Sequence, residues 1–277
     1  MIRRRFLTAS AAALGLPLIA SPAWAGPSSG PRAPRVFVAG DSTASTYAAR
    51  EAPRAGWGQA LGLFLGHGAD VDNRALSGAS SKSFADLGLL DALLADLRPG
   101  DRLLVSFGHN DAKSQDPARH TEPWSTYQEQ LTVYLDGARE RGARPVLVTS
   151  VERRRFTAEG APRESHGDYP AAMRALGARE GVPVVDLTAL SLELWGALGP
   201  EGTKEHFLWL APGEHPNHPG GVEDNTHFQA RGAVEVARMV ARELKRLGVL
   251  APRHLRRLGD TFPDPGNALP WPQERPV

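Results

Sequence analysis

The sequence predicts an α/β domain in which a central parallel sheet is covered by helices on both faces. Three observations carry this. Short apolar runs alternate with segments of ten or more residues at helical spacing, which is the pattern of βαβ units rather than of hairpins. The 277 residues are 41% hydrophobic, enough for a substantial core in one large α/β domain or two small ones. Side chains able to do chemistry cluster just after the predicted strands, where open parallel sheets hold their ligands.

In chain order, Arg35 leads the apolar, valine-rich run Val36-Phe37-Val38-Ala39, and residues 35–39 are a first strand. Residues 57–65 have helix-like spacing, and 69–74 form a second strand. Residues 89–97 are an amphipathic helix stopped by Pro99-Gly100. Residues 102–107 are a third strand. Residues 123–141 form a long helix with Trp124, Tyr127, Leu131 and Leu135 near one face. A buried strand follows at 145–149, a helix at 169–180 and a short strand at 183–186. Residues 187–198 and 229–247 read as helices. Connections between parallel strands are expected to be right-handed. No internal repeat is found. Residues 250–277, rich in proline and arginine and without periodicity, are expected to wrap over the surface or stay partly disordered.

The turns after the strands hold the parts of an acyl-transfer site. Gly40-Asp41-Ser42-Thr43 follows the first strand, and the stretch through Gly78 follows the second. Gly108-His109-Asn110-Asp111 follows the third, and Asp224-Asn225-Thr226-His227-Phe228 precedes the last helix. A serine hydroxyl is a poor nucleophile at neutral pH and needs a base within hydrogen-bond reach. His227 can take that proton and return it to the leaving alcohol. Asp224, three residues earlier, can hold the imidazole in the correct tautomer if the segment turns. The Ser42 and Gly78 backbone amides and the Asn110 side chain are candidate donors to the oxyanion.

These four blocks, in this order, resemble the SGNH/GDSL hydrolases, with Ser42, Gly78, Asn110 and His227 at the lettered positions. Gly-Trp-Gly-Gln at 56–59 and the stretch 151–156, with Tyr169 and Met173, are similar to the rhamnogalacturonan acetylesterase branch. The resemblance spans roughly residues 35–245. It implies a three-layer α/β/α sandwich, flavodoxin-like, and hydrolysis of O-acetyl esters on pectic polysaccharide. Relatives with similar blocks act on other acetylated sugars such as xylan. A GDSL lipase or lysophospholipase uses the same machinery, and a non-catalytic glycan-binding module would lack it.

Other patterns weigh less. Asp41 and Asp111 could pair as in a glycosidase, but each is better read as shaping its own loop. His109 either lines the pocket or packs beside the triad. Arg153, Arg154 and Arg155 follow a strand at the catalytic edge, where a guanidinium can bind a uronate carboxylate bidentately; His109, Arg153 and Arg154 are therefore candidate substrate contacts. His206, His215, His218 and His227 show no tight ligand spacing, so no metal is assigned. Residues 56–62 lack dinucleotide-loop spacing, and no cofactor is expected. No Gly-x-Ser-x-Gly elbow is present, which disfavours the α/β-hydrolase fold.

The N-terminus reads as an export signal: Arg3 to Arg5, an apolar stretch from Ala11 to Ala20, and Ala23-Trp24-Ala25 as a cleavage site. Arg-Arg-x-Phe-Leu suggests the twin-arginine route to the periplasm or the medium. Loss of residues 1–25 removes three of 32 basic residues and no acid, leaving 29 against 31 acidic, a net −2. Such a balance gives no reason to expect nucleic-acid binding. There is no cysteine, so disulfides and a thiolate nucleophile are excluded. The expected layout is a signal at 1–25, a flexible leader at 26–34, a hydrolase domain at 35–248 and a C-terminal extension at 249–277. The whole is expected to be a monomer acting on acetylated polysaccharide, with no membrane insertion once the signal is removed.

Overall fold

A computed structural model describes residues 32–274. The expected signal at 1–25 and most of the leader lie outside the described residues. Among the described residues eight strands follow one another: β1 Arg35–Gly40, β2 Arg54–Ala55, β3 Asp70–Asn73, β4 Arg102–Ser106, β5 Arg144–Val148, β6 Val184–Val185, β7 Phe207–Leu210 and β8 Val222–Gln229. Five of them form a parallel sheet in the order β3-β1-β4-β5-β6. The α-helices are α1 Trp57–Leu61, α2 Ser81–Asp86, α3 Leu89–Asp96, α4 Gln128–Glu140, α5 Tyr169–Glu180, α6 Leu187–Gly202, α7 Ala230–Arg246 and the single turn α8 Pro265–Ala268.

Strand periodicity divides the core in two. Val36 and Val38 of β1 pack with Leu104 and Val146 against Trp57 of α1, Trp195 of α6 and Val236 and Val240 of α7. The alternate residues, Phe37 and Ala39, pack with Leu103 and Val105 against Phe84 of α2, Leu93 of α3, Leu131 of α4 and Met173 of α5. Side chains two apart share a face, and both faces are buried, so β1 reads as a continuous apolar run. This is the expected three-layer α/β/α sandwich with a parallel sheet.

The structure departs from the sequence reading in three places. The first turn of the long helix, Pro123–Tyr127, is π-wound. Trp124 consequently leaves the face shared by Tyr127, Leu131 and Leu135 and is 54% exposed, with its indole N–H donating to Asp168 at 2.9 Å. A second, antiparallel sheet of order β2-β8-β7 was not foreseen. The C-terminal extension is part of the core: Leu250, Phe262 and Leu269 are buried in the α7 layer, Phe262 meets Phe64 edge-on at 5.9 Å, and the Arg238 guanidinium lies against both rings.

Candidate active site

The turn after β1 is wound tightly on Asp41. Its carbonyl accepts the Ala44 and Ser45 amides, both at 3.1 Å. Its carboxylate accepts the Thr43 amide at 2.9 Å and the Thr43 hydroxyl at 2.8 Å. Burial pushes the Asp41 pKa up, with the Thr43 hydrogen bonds opposing. Helix α1 abuts this turn from behind, and Gly56 and Gly58 permit the approach. A Cβ at Gly56 would lie 2.3 Å from the Ser45 carbonyl oxygen, and one at Gly58 2.5 Å from that of Ala44. The phenol of Tyr47 donates to the Ser42 carbonyl at 2.7 Å. Ser42 is thereby fixed at the carboxyl end of the sheet with its hydroxyl free of the turn's own bonds.

His227 and Asp224 come from β8, and an irregularity aims them. Phe207 pairs with Phe228, but Trp209 pairs with Glu223. Residues 224–227 therefore bulge opposite the single residue Leu208. A bulge of this kind re-aims side chains. Within it the Asp224 carboxylate accepts the Thr226 amide at 2.7 Å and the His227 amide at 3.0 Å on one oxygen. The other oxygen lies 2.6 Å from His227 Nδ1, and His227 Nε2 lies 2.9 Å from Ser42 Oγ. Alcohol, imidazole and carboxylate thus stand in one hydrogen-bonded line, drawn from residues 185 positions apart. Burial would raise the Asp224 pKa, but the bonds from His227 and the two amides outweigh it and hold the group at about 2.

The candidate oxyanion donors lie on neighbouring turns. The Leu76 amide donates to the Gly40 carbonyl at 3.0 Å, tying the Gly78 turn to the end of β1. Gly78 itself has φ +86°. Asn110 is buried, and its side-chain amide gives one proton to the Ala79 carbonyl at 2.8 Å; the second proton remains for a ligand. Among the described residues the Ser42 and Gly78 amides donate to no backbone acceptor.

Gly108 shapes the Asn110 turn with φ +142°, and a Cβ there would sit 2.3 Å from Ser150 Oγ. Gly108→Ala is expected to cost about 3 kcal/mol by overpacking and backbone strain, read as a fall in Tm, and to lower kcat together with it.

Asp111 accepts the Ser81 amide and hydroxyl and the Thr121 hydroxyl, while burial raises its pKa to about 6. Asp41 thus spends one oxygen on Thr43 of its own turn, whereas Asp111 ties its turn across to Ser81 at the head of α2 and to Thr121. His109 is buried, with neither ring nitrogen bonded, and its ring meets that of His166 edge-on at 4.3 Å. Burial, then the charges of His166 and Arg153, drive its pKa well down. Arg153 donates to the Ser165 carbonyl at 3.0 Å and to the His109 carbonyl at 3.4 Å.

Arg154 braces the β8 bulge. Its backbone amide donates to the Asn225 carbonyl at 2.8 Å and its guanidinium to the Asn225 side chain at 3.1 Å. The guanidinium lies 4.4 Å from the Trp209 ring centre, and the Trp209 indole donates to the same Asn225 oxygen at 3.1 Å. Sequence reasoning missed this clamp, because nothing near residue 154 in the chain points to residues 209 and 225. His206 lies 6.0 Å from the Trp195 ring, and His215 accepts the Asn217 amide. Among the described residues no three His, Asp or Glu side chains are grouped to hold a metal.

Residues 38–221 match the GDSL-like Lipase/Acylhydrolase family. The chain belongs to that family. As a GDSL-like hydrolase it is a carboxylic ester hydrolase, and Asp224 and His227 stand just beyond the matched stretch. It is 49% identical to rhamnogalacturonan acetylesterase RhgT of Bacillus subtilis over 221 residues, 80% of this chain and 94% of the relative. YesY of the same organism is 40% identical over 77% of this chain and 94% of its own length. The crystal structure of B. subtilis YxiM superposes with TM-score 0.67 at 30% identity, covering 78% of this GDSL-like chain and 57% of that one.

Proposed function

We propose that this hydrolase removes O-acetyl groups from acetylated pectin of the rhamnogalacturonan type. The substrate rests on the 49% identity to RhgT over nearly that enzyme's whole length. The reaction rests on the line from Ser42 Oγ through His227 to Asp224.

In this reading Ser42 Oγ attacks the acetyl carbonyl while His227 Nε2 takes its proton. The charge on the carbonyl oxygen is met by the Ser42 and Gly78 amides and the free proton of Asn110. His227 returns its proton to the sugar hydroxyl, which leaves. Water, activated by the same imidazole, then releases acetate from Ser42. Each step is completed by groups of this chain. Side chains of Asp224 and His227 are 27% and 22% exposed, so a polymer-borne acetyl group can reach them at the surface.

Wild-type protein should release acetate from acetylated rhamnogalacturonan and Ser42→Ala should not. Aryl acetates should turn over at least about tenfold faster than aryl esters of long acids, since a long chain needs an apolar pocket of its own. A clear preference for long chains, or for acetylated xylan over pectin, overturns the assignment. We also propose export through the signal at 1–25; N-terminal sequencing of the secreted protein should begin at Gly26.

A further inference from the structure

Arg153 and Arg154, which follow β5, were the candidate readers of acidic sugar, and their guanidinium groups are occupied within the protein. Arg153 bonds to Ser165 and His109, and Arg154 clamps Asn225 against Trp209. A different cation stands on the oxyanion side. Lys113 lies three residues after Asn110, and its amide donates to the Asn110 carbonyl at 3.1 Å. The Lys113 carbonyl in turn accepts the Asp116 amide at 2.8 Å. Asp116 neutralises Arg119, and Arg119 reaches back to the Gly78 carbonyl at 3.3 Å. The two cations therefore flank the turns that carry the Gly78 and Asn110 donors.

Only one of them is neutralised. The Lys113 ammonium makes no hydrogen bond or ion pair among the described residues, and the residue is half-buried. Partial burial and the charges of Arg119 and Arg153 lower its pKa, while Asp116 and Asp41 act in the opposite direction. The Lys113 backbone is itself part of the turn that carries Asn110, so the residue stands beside the oxyanion donors. An ammonium with no hydrogen-bonded anion of its own gains from an arriving carboxylate, and the scissile acetyl ester is itself neutral.

We propose that Lys113 is a specificity-determining residue whose ammonium binds a uronate carboxylate of the polymer carrying the acetyl group. This rests on the pectin reading above and deepens it: the enzyme would select acetyl groups on acidic chains over those on neutral ones. An ion pair at a half-buried site, charge-assisted by hydrogen bonds, supports a discrimination of about fivefold. Raising the ionic strength should erode it.

The test is inhibition of 4-nitrophenyl acetate hydrolysis by unacetylated trigalacturonate, with sodium acetate as a control for any small anion. The inhibition constant, taken relative to the aryl acetate KM of the same variant, should rise about fivefold in Lys113→Met and return toward the wild-type value in Lys113→Arg. Three results overturn the proposal: no inhibition of the wild type, an equal constant in Lys113→Met, or an equal effect of acetate ion and trigalacturonate. The assay needs no acetylated pectin as substrate. Failure to deacetylate pectin and failure of Lys113 to bind a carboxylate are therefore separate outcomes.

Discussion

Ser42→Ala is expected to lower kcat for acetyl esters at least ~10⁴-fold. The substitution removes one oxygen, and among the described residues the only bond that oxygen makes is to His227. The turn that carries it is held by Asp41 and Thr43, and its carbonyl by Tyr47. None of these uses the hydroxyl, so Tm should stay within a degree or two of wild type. The Ser42 amide also survives, along with Gly78 and Asn110. A small residual rate from oxyanion stabilisation is therefore expected, since water can still be activated by His227. The measurement is initial rate on an aryl acetate, with acetyl-enzyme trapped by rapid acid quench and seen as a mass gain at Ser42 in the wild type. A variant that kept more than a hundredth of wild-type kcat would show that another group attacks the carbonyl.

The parallel sheet was legible because β1, β4 and β5 are buried on both faces, and burial writes itself into sequence as unbroken apolar runs. The same physics hides β8. Its residues are exposed or half-buried with Phe228 alone buried, since four of them bulge out to carry Asp224 and His227. A strand that bends to aim a catalytic pair loses the periodicity by which strands are recognised. The nucleophile and the oxyanion turns could be placed because each follows a strand, and the imidazole because it just precedes helix α7; each residue type is required by the chemistry. Arg154 was legible as a cation at the right edge, but not as a brace, because its partners Trp209 and Asn225 are distant in the chain. Lys113 was passed over because a single lysine in a polar loop carries no local pattern. Phe262 and Leu269 escaped as well: isolated apolar residues among prolines have no period, although they complete the layer beside Phe64.

Asp224→Asn is expected to lower kcat by ~10³- to 10⁴-fold with little change in KM, and the hydrogen-bond arrangement explains why a nearly isosteric change should cost so much. One carboxylate oxygen accepts two backbone amides, from Thr226 and His227; the other faces His227 Nδ1. An asparagine has one acceptor oxygen, and the two amides, which can only donate, claim it. Its NH₂ must then point at Nδ1, which becomes an acceptor. The ring proton moves to Nε2, the nitrogen that has to receive the proton of Ser42, and the base is lost while the geometry remains. Asp224→Ala leaves Nδ1 free to choose its tautomer and should be no worse, so equal or higher activity in the alanine variant is the signature of this mechanism. Stability supplies a second readout. The carboxylate's depressed pKa, from the ordinary 3.8 to about 2, means its stabilising contribution is present above the ordinary value and fades as pH falls toward 2. The Tm gap between wild type and Asp224→Asn should therefore narrow as pH falls from about 4 toward 2. A loss of less than tenfold in kcat would mean that the imidazole is oriented by something other than Asp224, and that the line from Ser42 through His227 to Asp224 is not what activates the nucleophile.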